Sequence, residues 1–562
     1  MPVAVPVNKS VAPPVSRWRF WLPRVAFAIA APILLLALTE GALRLFHVGY
    51  STDLMEPCTI HGRPSSCYNL FFAAPFFPPG MIKTPQFFSI DPVKPQGTYR
   101  IFVLGESAAM GDPDFAYGFS RYLEVMLRRQ FPTMKFEVVN TGMVAINSHV
   151  SLAMARELAN YRPDMFVVYA GSNEVVGPYG PGAVVTSSSM SLPVIRASIF
   201  VRSSRIGQLV VDSGQPRGEW RGMEMFLDKQ VRADSPRMQP AYDNFAHNLR
   251  NIVNVGQASG ARVLLSTIAT NLRDSAPFGS LHRAGLAPDA LQSWSALVQH
   301  GAESEAAQSF QEALKLYSSA AQIDDQYAEL SFRMARCYSA LGNFPAASEH
   351  YTRARDLDTL RFRADSRINE IIRATAKDSR QNTVLLDTDA LLAGESRNGV
   401  LGSEMLYDHV HLTPVGNYLL ARSVFDQVVK TLPEAAKNSA QSKEPPTEME
   451  CERLLAFTGH DHTRVAADMA NRMQRPPFTK QLNHAEQLQN LMFRAAGSTE
   501  SPQDTFAQYQ WAIGQYPTDL TLHYKFGYFL FDYDRNAAAQ QLVLARPNDD
   551  FPVFLPDGTR IQ

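Results

Sequence analysis

Apolar residues form one long uninterrupted cluster near the N-terminus, then settle into short runs separated by amphipathic stretches. Val25 to Thr39 carries no charge, and the run reaches back to Leu22 if Arg24 snorkels. Those 18 residues compare with the ~20 needed to cross a bilayer core. Trp18 and Trp21 suit the headgroup belt. Residues 22–46 therefore read as a transmembrane anchor. A charge-free stretch of this length also fits the apolar region of a cleaved signal, but Thr39-Glu40-Gly41 is a mediocre cleavage site, and the uncleaved anchor is the preferred reading. Lys9, Arg17, Arg19 and Arg24 precede the run and no acid does. The excess of basic residues keeps a tail of residues 1–21 in the cytoplasm and places the rest in the periplasm or outside the cell.

Residues 48–98 are dense in Pro, Gly and Phe and predict an extended collar that packs on something. From residue 99 the pattern alternates. Strands are predicted at Tyr99–Leu104, Phe136–Val139, Met165–Ala170, Arg262–Ile268 and Thr383–Leu386. Helices are predicted over 118–130, 149–161, 240–258 and 414–430. Short apolar strands separated by helices imply an α/β fold with a parallel sheet covered on both faces, a three-layer α/β/α arrangement. Residues 176–235 interrupt it, with Gly, Pro and Ser early and a polar helix expected late.

A second interruption has a period. Phe344, Ala347, Tyr351, Ala354 and Asp358 repeat Phe310, Ala313, Tyr317, Ala320 and Asp324, 34 residues earlier; Gly342 against Gln308 breaks the match. Alanines and aromatics at this period resemble the tetratricopeptide repeat, a stacked helix pair, with repeats at about 294–327 and 328–361. The predicted organisation is a sheet domain at 99–289 and 362–435, an all-α insertion at 290–361, a polar linker at 436–448 and a helical region at 449–562. In that last region Tyr509, Ala512 and Pro517, then Tyr524, Gly527 and Pro547, suggest a degenerate repeat array.

Composition narrows the function. Of 562 residues, 45% are hydrophobic, enough for several cores. Lys+Arg 53 and Asp+Glu 54 nearly cancel, so no global field draws the chain to nucleic acid. Four cysteines exclude a disulfide-dense scaffold. Export would allow Cys58 and Cys67 to pair; two free thiols are the alternative.

Three blocks carry candidate chemistry. Strand one ends in Gly105-Glu106-Ser107, placing a serine where α/β ligand sites form. Strand three ends in Gly171-Ser172-Asn173-Glu174; Asn173 could donate its amide to an oxyanion or simply cap the next segment. Asp408-His409-Val410-His411 enters a helix at Pro414. An Asp three residues before a His can hold its Nδ1 and leave Nε2 for a partner. No ligand-type spacing points to a metal, and no cofactor is implied.

Together the blocks resemble the SGNH hydrolases, the GDSL-type esterase superfamily. The resemblance covers about 99–175, 240–275 and 380–430. It implies Ser107 as nucleophile, His411 as base, Asp408 as its orienter, and Ser107, Ala145 and Asn173 as oxyanion donors. His409 does not fit the spacing. Glu106 stands where many members have Asp, and the expected glycine donor after strand two is displaced, with Gly142 three residues before Ala145. The implied function is a membrane-anchored, exported serine esterase acting on an O-acyl ester, with an acetylated glycan among the candidate substrates and a protein partner on the repeats. The alternatives are an O-acetyltransferase modifying an extracellular glycan, and a repeat scaffold with a non-catalytic hydrolase domain.

Overall fold

The computed structural model describes residues 17–60, 62–184, 190–212, 219–379, 382–497, 499–546, 548 and 552–561. The N-terminal tail with Lys9, and Pro547, lie outside them.

Five parallel strands form the central sheet: β1 Thr98–Gly105, β2 Lys135–Asn140, β3 Met165–Tyr169, β4 Arg262–Ser266 and β5 Thr383–Leu386, in the order β2-β1-β3-β4-β5. β1 is buried along its whole length and pairs Val103 with Asn140 on one side and Gly105 with Tyr169 on the other. Its one charged residue, Arg100, is fully buried. It donates from Nε to Glu137 at 2.6 Å and from Nη1 to the Tyr161 carbonyl at 2.6 Å, so no charge is left unpaired. Helices 119–130 and 414–431 pack together on one face; helices 148–158, 238–258 and 366–378 cover the other. β1 is the switch point of this order, since the chain runs outward to β2 and then back to β3. A cleft outside the carboxyl ends of these strands is where ligands bind in open α/β sheets.

Helix Ser366–Asp378 was not expected from the sequence. Asp365 caps it by accepting from the Ile368 N–H at 3.1 Å, and Ile368, Ile371, Ile372 and Thr375 form its buried face. In 176–235 the helices lie at Leu192–Ser203 and Arg205–Asp212, and only a short 3-10 turn, Gly222–Phe226, follows among the described residues. The polar helix expected late in that segment is therefore absent from its described part; Gly222, at φ 76°, turns the chain there.

The collar is a hairpin, Met55–Ile60 with Arg63–Tyr68, joined by a Cys58–Cys67 disulfide and extended by Ser89–Ile90. Phe72, Phe76, Phe77 and Phe88 are buried in the main core. The N-terminal helix runs Arg17–Leu45. Its Trp21–Leu45 stretch of 25 residues is long and apolar enough to cross a membrane, and its residues are exposed or half-buried.

The insertion is two helix hairpins, Pro288–Ala306 with Phe310–Ile323 and Ala328–Ala340 with Phe344–Leu357. Ala313, Tyr317 and Ala320, and their counterparts Ala347, Tyr351 and Ala354, are all buried, so the periodic residues are core. The first helix starts earlier than the period implies, at Pro288. Arg336 is tied to Glu305 at 3.1 Å and to Glu486 of the C-terminal region at 3.2 Å. The C-terminal region is helical from Glu448 to Leu544, and its helices pack back over the sheet domain. There Arg121 pairs with Asp519 at 2.7 Å, and Tyr117 stacks on Phe457 at 3.9 Å.

Candidate active site

The three blocks meet because the ends of β1, β2 and β3 are drawn tightly together. A Cβ on Gly105 would sit 2.0 Å from the Tyr169 carbonyl, and one on Gly142 would sit 2.5 Å from the Met110 nitrogen. Only glycine allows either approach. Glu106, fully buried, accepts from the Gly171 N–H at 2.9 Å and the Ser172 N–H at 3.2 Å, which ties the β1 loop to the β3 loop. Glu174 accepts from the Ser148 backbone and hydroxyl, both at 2.8 Å, which ties the β3 loop to the helix after β2. Burial, then the neighbouring Glu174, pushes the Glu106 carboxyl up to about 8; burial pushes Glu174 up to about 7. The sequence reading gave Glu106 no task. Its task is to fix the loop that carries Asn173.

Ser107 opens a short helix, Ser107–Met110, and its Oγ lies 2.9 Å from His411 Nε2. His411 Nδ1 lies 2.7 Å from Asp408 Oδ2. The other Asp408 oxygen accepts from the Val410 and His411 N–H groups, each at 2.9 Å. Asp408 is fully buried. Burial alone would raise its carboxyl, but the adjoining imidazoles of His411 and His409 hold it well below the usual carboxylate range. The loop is braced by the Tyr407 N–H donating to the His411 carbonyl at 2.7 Å, and by Thr413, which caps the helix beginning at Pro414.

A fourth group was not foreseen. Asp112 Oδ2 lies 3.0 Å from His411 Nε2, the nitrogen that also meets Ser107. Arg472, on helix Gly459–Met473, holds Asp112 through Nη1 at 2.5 Å and Nη2 at 3.0 Å. Burial alone would push the His411 imidazole down; the Asp408 and Asp112 carboxylates outweigh it and hold it up to about 9. The partners stand 360 residues apart in the chain, and no local pattern marks either.

In the expected donor loop, the Gly142 N–H is already spent on Asn140 Oδ1 at 2.9 Å, and the Met143 N–H on the Gly105 carbonyl at 3.2 Å. Ala145 follows in a left-handed conformation, φ 63°, and lines the same cleft as Ser107 and Asn173. His409 is buried, with Nδ1 3.3 Å from Asp408 and its ring edge-on to Phe278 at 5.1 Å. Asp408, His409 and His411 cluster closely enough to share a cation, though each His411 nitrogen already has a partner in Asp408 or Ser107.

The cleft over Ser107 has a volume of about 1230 Å³ and is walled partly by the C-terminal region, through Arg472, Arg475 and Phe478. A crevice of about 40 Å³ adjoins it at Ala145 and Val176, closed by Phe76, Phe77, Tyr179 and Trp220. The arrangement offers a hydroxyl beside an imidazole, a buried carboxylate behind that imidazole, and a roomy cleft over them that a tight crevice adjoins at Ala145.

A tetratricopeptide repeat profile matches residues 305–364. Curated proteins give no match. Among solved structures, the chain is similar to a GDSL-like lipase from Bacteroides thetaiotaomicron, with 12% identity over 59% of this chain and 89% of that one, TM-score 0.25. An acetyl xylan esterase gives 13% identity over 58% and 99%, TM-score 0.26. A catalytic mutant of an acetylxylan esterase from Geobacillus stearothermophilus gives 10% identity over 59% and 94%, TM-score 0.28. The inserted repeats read from the sequence recur in the profile match.

Proposed function

We propose that the chain is a membrane-anchored, exported serine esterase that removes a short acyl group, such as acetyl, from a bulky alcohol such as a glycan. The observation that carries this reading is the line Ser107 Oγ, His411, Asp408, with separations of 2.9 and 2.7 Å, at the carboxyl ends of the strands. Neutral His411 accepts the Ser107 proton on Nε2 as Oγ attacks the ester carbonyl. The Ser107 and Ala145 N–H groups and the Asn173 side chain stabilise the oxyanion. Collapse breaks the bond to the alcohol, which leaves with the proton from His411. Water then attacks the acyl-serine, with His411 again as base, and releases the carboxylic acid.

The two compartments support the substrate class. The tight crevice beside Ala145 holds a few heavy atoms, and the open cleft accommodates a polymer segment. The anchor and the export reading are supported by the exposed apolar helix at Trp21–Leu45, the basic residues before it, and the Cys58–Cys67 disulfide, a bond that persists in oxidising compartments. The test is hydrolysis of chromogenic acetyl and longer acyl esters by the full chain beside Ser107→Ala. Equal turnover by both proteins would end this reading.

A further inference from the structure

Helices Leu192–Ser203 and Arg205–Asp212 stand at the mouth of the N-terminal helix. Glu40, in the last turns of that helix, accepts from the Arg205 N–H at 3.0 Å and the Ile206 N–H at 3.1 Å, and so caps the second helix. Gln208 closes a reciprocal pair with Tyr50, giving Nε2 to the Tyr50 carbonyl and accepting the Tyr50 N–H, each at 3.0 Å. The segment that would leave the membrane is thereby locked to this helix pair on both sides of residue 46.

The first helix of the pair is two-faced in an unusual sense. Its inner face, Ile195, Ile199 and Arg202, packs on the body, and Arg202 donates to the Phe77 carbonyl at 2.8 Å. The opposite side is apolar and bare: Val194 is 51%, Phe200 77% and Val201 52% exposed. Leu70 and Phe71 stand close by, since Phe71 stacks on Tyr50 at 4.7 Å, and both are exposed. From Leu192 to Asp212 the chain has three arginines, Arg196, Arg202 and Arg205, against one acid, Asp212, at its end; of the three, Arg202 is turned to the body. Bare apolar side chains with arginines in excess of acids suit the headgroup boundary of an anionic bilayer.

We propose that this helix pair is a membrane-docking surface, inserted into the outer leaflet of the bilayer that holds the anchor. The occupant is the lipid, because the patch continues directly from the spanning helix through Glu40 and Gln208 and carries the charge that anionic headgroups attract. The docking fixes the body against the membrane plane instead of leaving it on a swivel. It rests on the anchor reading above.

The test uses the full chain reconstituted into vesicles of phosphatidylethanolamine and phosphatidylglycerol, with an environment-sensitive fluorophore on one introduced cysteine at a time. The native thiols Cys337 and Cys451 are buried, and Cys58 and Cys67 are bonded. Probes go on Phe200→Cys and, as a second position, Val201→Cys; Leu35→Cys reports the span, and Phe493→Cys, 80% exposed on the C-terminal helices, reports the body. Hydrolysis of a small soluble ester checks the fold of each variant. Nitroxide lipids labelled high on the acyl chain should quench the probes at 200 and 201 several-fold more than the probe at 493. Quenching at 35 with none at 200 and 201 overturns the docking surface and leaves the anchor standing. Quenching at 200 and 201 with none at 35 upholds docking and overturns the anchor. Quenching at neither overturns both. Disulfide-linked dimers through Phe200→Cys, with no lipid quenching, would assign the face to a second copy and overturn the lipid.

Discussion

Arg472 grips both oxygens of Asp112, and one of those oxygens is also 3.0 Å from His411 Nε2. A helix of the C-terminal region therefore reaches, through a single carboxylate, the nitrogen that takes the Ser107 proton in the proposed reaction. Asp112 favours the charged imidazole, which cannot act as a base. Arg472 draws charge from Asp112 and weakens that preference.

The two residues should shift the pH profile in opposite directions. Activity requires neutral His411, so kcat/KM should rise with pH through the imidazole value, which the two carboxylates hold up to about 9. Asp112→Asn removes one of them and should carry the acidic limb to lower pH by about one unit or more. Arg472→Met leaves Asp112 wholly to His411 and should carry the limb upward. The measurement is kcat/KM against pH for the three proteins. A limb that stays put in both variants would remove Asp112 from the account.

Substituting the candidate machinery should separate activity from folding. Ser107→Ala should lower kcat by about 10⁶-fold where chemistry is limiting. Asp408→Asn should cost about 10⁴-fold, because the imidazole loses the acceptor that fixes its tautomer. Ser107→Ala should melt close to the parent, as among the described residues its hydroxyl bonds only His411. Residual activity of even a tenth in Ser107→Ala would send the search for the nucleophile elsewhere.

Glu106 should behave as a structural acceptor. Ala at this position leaves the Gly171 and Ser172 N–H groups buried without partners, at about 1–3 kcal/mol each. Gln keeps an acceptor and should be tolerated better. The pH sign also follows. A carboxyl whose folded value lies above its ordinary 4.5 favours the folded state at pH below 4.5, and that contribution is lost as pH rises through the folded value, about 8 for Glu106 and about 7 for Glu174. Melting temperature should therefore fall between pH 5 and pH 9, less steeply in Glu106→Gln. Calorimetry across that range checks it, and parallel slopes would refute the assignment.

Acyl length should be read by the crevice. Acetyl and propionyl esters should be turned over and octanoyl esters should not, since about 40 Å³ cannot hold an eight-carbon chain. Val176→Ala, which opens that wall, should raise kcat/KM for butyryl over acetyl esters. A parent enzyme that prefers octanoyl would show that the acyl group lies in the open cleft.

The insertion should separate by position. Gln311 and Glu312 are exposed, and alanine at either should leave small-ester hydrolysis unchanged. Asp358 is buried against Arg363 at 2.9 Å, and Asp358→Ala strands that guanidinium, a loss of about 3–5 kcal/mol. Chemical denaturation compares them. An Asp358→Ala protein as stable as the parent would mean that the insertion is only loosely attached.

Much of this was legible in order along the chain. Strand and helix alternation gave the sheet because fully buried strands such as β1 and β3 read as continuous apolar runs. Ser107, Asn173 and Asp408–His411 stood out because each follows a strand or opens a helix. What stayed hidden depends on distance or on weak pattern. The Asp112–Arg472 pair joins a turn to a helix hundreds of residues away. Helix Leu192–Ser203 opens with Pro193 among serines and reads as loop, although its arginines and bare apolar side are a signal in retrospect. Helix Ser366–Asp378 did carry one, in Asp365 as cap and isoleucines at helical spacing.

The two aspartates at matching positions of the repeats hold one strap of the sheet domain. Asp324 accepts from the Arg283 N–H at 3.2 Å and contacts His282 at 2.8 Å; Asp358 accepts from the Phe278 and Gly279 N–H groups at 2.9 and 3.0 Å. Solenoids ordinarily lengthen or shorten by whole units, since each unit meets only its neighbours. Here the spacing between two consecutive units is matched to a few residues of a fixed strap. That strap also runs into the His409 wall through Phe278 and through the Asn271 N–H on the His409 carbonyl at 3.0 Å. Duplication between the two units would pull one aspartate off its footing beside the Asp408–His411 loop. The array is thus frozen at its present count on this side, and growth by repeat expansion is open only where no aspartate is moored.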